Sequence, residues 1–384
     1  MSPLVWLNSA CLGEASSRSG LLDTFEGARD LQDSYQACAE WVAGFCEVKP
    51  ERVILTAGAT DACDTVLTTR KGPPRRIIHS DLAHECIRRS VHCAAEYLSA
   101  LCGARVAPAQ IEISDLFSLA PPAFATTLAQ RLKRIVRAER GILVIEHVTS
   151  EDGILLPILE ISEHVRHVLP EIDIVVDGAQ AAGLWRPPSG LNRAYIGCFH
   201  KYIDGPVGTG FCVLPTDFAS RTLHRLRATQ SWSKPSTSEH LPTADVLKWN
   251  ACRQAVAALD MRGSCHDRLA AVLRARQELL ESAPNELIAH LAGVRPEYLS
   301  HILSFRASDS NKGPSLWQRL RDCGFSTKRL DDGVRVTLHE TLPPQLLRAF
   351  ADVLCEFSVT PLDCSGSDSR ESKSDKVPRL SVYS

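Results

Sequence analysis

Ile174-Val175-Val176-Asp177-Gly178-Ala179-Gln180 decides how this chain is read, together with Gly197-Cys198-Phe199-His200-Lys201-Tyr202 downstream of it. The first stretch is a β-branched run ending on an acid and a glycine. Such a run reads as a buried strand whose carboxyl end carries a polar side chain. The second places a His-Lys pair just before the glycine-rich Gly205-Pro206-Val207-Gly208-Thr209-Gly210. In open α/β sheets, active residues collect at the carboxyl ends of strands.

Working outward, similar runs recur at Val53–Leu55, Arg76–His79, Gly141–Ile145 and Gly210–Leu214. Helical spacing falls between them, at 128–137 and 158–168, and precedes them over 23–47. Buried strands alternating with helices predict a mainly parallel sheet covered on both faces. After about residue 240 the pattern changes. A long helical stretch over 244–281, broken near Gly263, leads to a smaller α+β unit. That unit has strands at Ile302–Arg306 and Val334–Leu338 and helices at Ser315–Asp322 and Pro344–Phe357. The predicted organisation is an arm (1–20), a large domain (21–243), connecting helices (244–281), a small domain (282–362) and a solvated, disordered tail (363–384).

Composition narrows the class. Hydrophobic residues make up 44% and charged residues 23% of 384, as expected of a globular chain. The net charge of −2 gives no electrostatic reason for a nucleic-acid or anionic-membrane partner. No apolar run reaches the roughly 18 residues of a membrane helix. The first residues lack a basic segment followed by an apolar one, so a cytoplasmic location is expected. The 14 cysteines are scattered, without a C-x-x-C pair, and read as buried free thiols in a reducing compartment.

A lysine in a glycine-rich turn at a strand end can form an imine with an aldehyde. Asp177 then has a definite use. Pyridoxal 5′-phosphate (PLP) is a strong electron sink only while its ring nitrogen is protonated, and a hydrogen-bonded carboxylate keeps it so. Gln180, three residues on, is placed to donate to the ring's phenolic oxygen. Taken alone, a lysine is usually a surface residue. The strand-end Asp-Gly-Ala-Gln, the His-Lys pair and the glycine loop in this order argue otherwise.

These motifs resemble the class V aminotransferase family of fold-type I PLP enzymes, nearest its isopenicillin N epimerase-like and cysteine desulfurase-like branches. The resemblance spans roughly residues 5–360 and is weaker over the last third. It implies a large domain with a mainly parallel seven-stranded sheet, a smaller C-terminal α+β domain, and PLP as cofactor. It implies that Lys201 is the Schiff-base lysine, Asp177 the ring-nitrogen partner and Gln180 the phenolic-oxygen contact. Ala59 and Thr60, in Thr56-Ala57-Gly58-Ala59-Thr60-Asp61, take the phosphate, as a helix N-terminus can. His200 and Cys198 lie on the phosphate side; the family often has serine where Cys198 stands. His84 stacks on the ring, although Ala83 replaces the family's common glutamate before it. Ser150 lies near the phenolic oxygen. Arg335 binds the substrate's α-carboxylate, and Asn8 contacts substrate. Thr243 reaches a neighbouring subunit's phosphate, which implies a homodimer with shared sites.

The implied reaction lies at the Cα of an amino acid, nominally amino transfer, with C–S lyase (β-elimination) or epimerase chemistry as alternatives. A persulfide-forming desulfurase is not expected, because Phe325–Val334 contains no cysteine. A catalytically silent scaffold is the non-enzyme alternative. Glu146-His147 suggests no metal site, since adjacent strand residues point to opposite faces. The substrate side-chain pocket is expected from loops 11–25 and 225–245.

Overall fold

The computed structural model describes residues 5–6, 28–68, 74–137, 139–189, 193–215, 246–307, 309 and 312–359. Asn8, Thr243, the tail and both loops expected to shape the substrate pocket lie outside them.

The helix α1 (Ala28–Cys46) opens the large unit. Its Cys38, Val42 and Phe45 are buried at helical spacing. Strands β2 (Val53–Thr56), β3 (Arg76–Ser80), β4 (Ala107–Ile111), β5 (Gly141–Glu146), β6 (Ile172–Asp177), β7 (Ala194–Cys198) and β8 (Gly210–Val213) form a seven-stranded sheet in the order β2-β8-β7-β6-β5-β3-β4. Only β8 runs antiparallel to its neighbours. The expected mainly parallel seven-stranded sheet is what forms.

Each central strand is apolar on both faces. Ile142, Val144 and Val175 pack on one side, while Leu143, Ile145, Ile174 and Val176 pack on the other. The first side is covered by α2 (Ala59–Thr68) and α3 (Glu85–Cys102). The second is covered by α1, α4 (Pro121–Val136) and α5 (Ile158–Val168). Two strands of this sheet were not read from the sequence. β4 contains Pro108 and pairs only with β3; a proline lacks the N–H a central strand needs, so it fits at an edge. β7 is Ala194-Tyr195-Ile196-Gly197-Cys198, which the lysine motif had absorbed. Helix α4 also starts earlier than the predicted 128, at Pro121-Pro122, where a missing N–H is harmless.

Helices α6 (Val246–Met261) and α7 (Cys265–Ser282) form the connection. Gly263 at φ +105° and a Ser264–Asp267 capping box end one and start the next. Trp249 on α6 meets Tyr35 edge-on at 5.6 Å, which seats α6 on α1.

The last unit is an antiparallel sheet of β9 (Ile302–Arg306), β12 (Gly333–Thr337) and β11 (Lys328–Arg329), in the order β11-β12-β9. It is backed by α8 (Gly313–Asp322) and α9 (Pro344–Val359). The short β1 (Val5–Trp6) pairs in parallel with β10 (Phe325–Ser326), so part of the expected irregular arm is strand. A loop of the large unit is stapled to this sheet. Ile154 bridges Leu299, Leu155 N–H donates to the Tyr298 carbonyl (2.6 Å), and Ser300 N–H donates to the Gly153 carbonyl (3.0 Å). That staple brings Ser150 beside β12.

Candidate active site

Asp177 ends β6 and is 7% exposed. Its Oδ1 accepts the Ala179 N–H at 2.9 Å. The Gly178 N–H donates to the Ile196 carbonyl at 2.8 Å, which holds the turn against β7. A methyl group at Gly178 would lie 2.0 Å from Tyr195 Cζ. That ring is fully buried, with its hydroxyl 3.3 Å from His147 Nδ1. Gly178→Ala is therefore expected to cost about 1–3 kcal/mol or more through overpacking, measured by urea unfolding of the variant against the parent.

Lys201 sits in the turn after β7. The Gly205 N–H donates to the Phe199 carbonyl (2.7 Å) and the Asp204 N–H to the Lys201 carbonyl (3.1 Å). The next residue anchors that turn to the small unit. Tyr202 donates its hydroxyl to Glu340 and stacks on His339 at 4.3 Å between centroids. The anchored Lys201 charge reaches Asp177, His84, Cys86, Cys198 and His200. Burial pushes the Asp177 carboxyl above its ordinary value, and Lys201 pulls it back.

His84 caps α3, and the Cys86 N–H donates to its Nδ1 at 3.3 Å. The Cys86 thiol lies 3.0 Å from the same nitrogen. Nδ1 is thus an acceptor, which leaves the ring proton on Nε2. Desolvation, then the Lys201, Lys328, Arg335 and Arg88 charges, bring the His84 pKa down to about 4. His84 is a neutral, flat ring at physiological pH. It lines a cavity of about 290 Å³ with Arg88, Ser150, Asp152 and Lys328.

The phosphate-side candidates gather across β8. A Cβ at Gly210 would lie 2.6 Å from Gly58 Cα, so the glycine lets β8 press against the turn that starts α2 at Ala59-Thr60. His200 Nδ1 is buried with no hydrogen-bond partner among the described residues. Burial and then Lys201 lower the His200 pKa to about 4, opposed by the Thr209 backbone. An orphaned ring nitrogen and a helix N-terminus are what an anionic phosphate would complete. The Cys198 thiol donates to the Ala179 carbonyl at 3.7 Å, and Gln180 is buried beside it in sequence.

Arg335 is 1% exposed on β12, and its Nη1 donates to the Ser150 carbonyl. These residues are 185 positions apart, joined by the staple above. Glu146 and His147 take different partners, Ser80 for one and Tyr195 for the other. Three residues at the site were not singled out from the sequence: Cys86, Lys328 and Glu146 as a carboxyl neighbour of Asp177. Only Glu146 left a signal, as an acid ending an apolar strand.

The fold is that of fold-type I PLP enzymes, and the site gathers an amine, a buried acid and an imidazole within it. The family described as Aminotransferase class-V matches residues 20–259, and the chain belongs to that family. The expectation of a class V member with PLP as cofactor is borne out by this membership. No curated protein matches the sequence. Among solved structures, the cystine C–S lyase C-DES, in complex with its reaction product cysteine persulfide, is similar with a TM-score of 0.70 and 18% identity, over 93% of this chain and 98% of that one. The cysteine desulfurase from Thermococcus onnurineus NA1 gives 0.66 and 13%, over 92% and 94%. Serine palmitoyltransferase from Sphingomonas wittichii gives 0.62 and 16%, over 93% and 89%. At these identities the likeness is one of fold.

Proposed function

We propose that this protein is a PLP-dependent enzyme acting at the Cα of an amino acid, with amino transfer as its first reaction. The observation that carries this reading is the convergence of strand ends: Asp177 is in register with Ile196 of β7, Lys201 follows in the turn after β7, and Cys198 and Thr56 flank Gly210 of β8 at the start of α2. PLP bound there supplies an electron sink for the pair left when a bond to Cα breaks.

The chain's own residues divide the work. The Lys201 amine would hold the cofactor aldehyde and would serve as the base for the Cα proton. Asp177 holds the ring-nitrogen proton from a site too dry to solvate a second charge cheaply. His84, neutral, would cover the ring. Ala59, Thr60, His200 and Cys198 would hold the phosphate, a role Thr243 of a second subunit would share. Gln180 and Ser150 would serve the phenolic oxygen. Arg335, with Asn8, receives the α-carboxylate. Where Lys201 returns the proton selects the product: delivery away from Cα gives amino transfer, and return to Cα gives epimerisation.

The second reading is C–S cleavage by β-elimination. The shared fold with a cystine C–S lyase supports it. A desulfurase that forms a persulfide before Arg335 is not proposed. Phe325–Val334 holds no cysteine, and Cys323 is an exposed residue at the end of α8. The enzyme reading also carries a cytoplasmic homodimer with shared sites. The free thiols of the described cysteines fit the reducing compartment of that reading.

Protein purified with PLP is expected to show a visible absorption band that borohydride bleaches. Its absence would leave the silent scaffold. Amino acids screened against the loaded protein, following spectrum, pyruvate and ammonia together, separate transfer from elimination. Arg335→Ala is expected to raise KM for amino acids about 100-fold through loss of a charge-assisted carboxylate contact. The visible band should be retained. Unchanged KM would refute the role of Arg335.

A further inference from the structure

Glu146 ends β5 and is the register neighbour of Asp177 on β6. In a parallel ladder, neighbouring strands lie about 4.8 Å apart and their paired side chains share a face. Both carboxyls are buried, Glu146 at 2% exposure and Asp177 at 7%. The Ser80 hydroxyl, from the end of β3, donates to Glu146 Oε2 at 2.6 Å. Glu146 Oε1 is buried with no hydrogen-bond partner among the described residues. The largest charge effects on Glu146 come from Asp177 on β6 and then Asp81 after β3, both acids.

Two carboxyls this close in a dry layer ionise one after the other, the second at a raised pH. The asymmetry between them is clear. Asp177 has the Ala179 N–H and the Lys201 charge on its side. Glu146 has the Ser80 hydroxyl and its own backbone amide, and no cation.

We propose that Glu146 is a positioning residue for Asp177: it carries the proton of a two-carboxyl pair in which Asp177 carries the charge. The proposal rests on the enzyme reading only in naming what Asp177 holds, because the pair exists without any cofactor. With Glu146 neutral, the layer holds one negative charge, directed at Lys201 and the ring nitrogen. When Glu146 ionises, a second anion enters the layer and strengthens the hold on the ring proton.

Burial first, then Asp177, raise the Glu146 pKa to about 7, opposed by Ser80. A carboxyl raised on folding favours the protonated native state. Its contribution is undiminished below the ordinary value and falls as pH rises toward 7, with the full penalty above. The wild-type apoprotein is therefore expected to lose about 5 °C more in thermal midpoint between pH 5 and 8 than Glu146→Gln.

The deciding measurement is infrared difference spectroscopy of the apoprotein between pH 5.5 and 8.5. Wild type should lose a carboxylic-acid carbonyl band near pH 7, and Glu146→Gln should lack that band. A band common to both proteins, or no titrating band in wild type, overturns the proposal. If Glu146→Gln does not fold, Ser80→Ala decides: without its donor to the ionised form, the transition should move up in pH, and an unmoved transition overturns the proposal. In PLP-loaded protein, the visible spectrum should show a step near pH 7 in wild type that Glu146→Gln removes. Should wild type bind no PLP, the enzyme reading falls while the infrared result still judges Glu146.

Discussion

Lys201→Ala is expected to abolish the visible band and the borohydride-fixed adduct, and to lower turnover by at least about four orders of magnitude. The size follows from one side chain having two tasks, holding the cofactor aldehyde and moving the Cα proton. The turn that presents it is fixed on both sides, by Gly205 N–H on the Phe199 carbonyl and by Tyr202 on Glu340, so loss of the amine should not collapse the loop. An electrostatic effect accompanies the chemical one. Asp177 loses the charge that opposes its burial, and its carboxyl moves further toward the neutral form. Lys201→Arg separates the two effects. It keeps a cation near Asp177 and His84 but forms no stable imine, so it should also lack the adduct. Peptide mass spectrometry after borohydride reduction reads the result. An adduct of equal yield in wild type and Lys201→Ala would end the assignment.

The second large effect is expected from Asp177→Asn, a loss on the order of 10³-fold in turnover, or about 4 kcal/mol of barrier. The variant keeps the size of the side chain and an oxygen for the Ala179 N–H. It removes the negative charge that holds a proton on the ring nitrogen. PLP should remain attached through Lys201, so the visible band survives while turnover falls. Stability should move the other way. Burial makes the charged form of Asp177 expensive in the folded chain, and a neutral amide relieves that penalty. A thermal midpoint at or above wild type, combined with lost turnover, marks a charge kept for chemistry. Unchanged turnover would remove Asp177 from the site. Asp177→Asn also bears on Glu146, since a neutral neighbour should lower the pH at which Glu146 ionises.

Much of the fold was legible because its signals are local. Val53–Thr56, Gly141–Glu146 and Ile172–Asp177 are short apolar runs between helical patterns, and burial on both faces of a parallel sheet leaves that mark. Ala107–Ile111 escaped notice because an edge strand tolerates Pro108 and half-exposed positions. Lys201 and Asp177 stood out as chemistry at strand ends, and His84 through the family resemblance. Cys86 and Lys328 did not, because nothing in their own neighbourhoods distinguishes them from ordinary helix and strand residues.

The chain's order of residues, taken alone, determined the alternation of strands and helices, the acid at the end of β6 and the lysine in the glycine-rich turn. These depend on side-chain type and spacing over a few positions. Only the tertiary structure decided that Arg335 meets Ser150, that the Lys201 turn follows a strand in register with Asp177, and that Glu146 lies beside Asp177. The reason is physical. Protonation and charge pairing depend on how much water is removed and which charges lie within a few ångströms, and both are set by contacts between residues far apart in the chain.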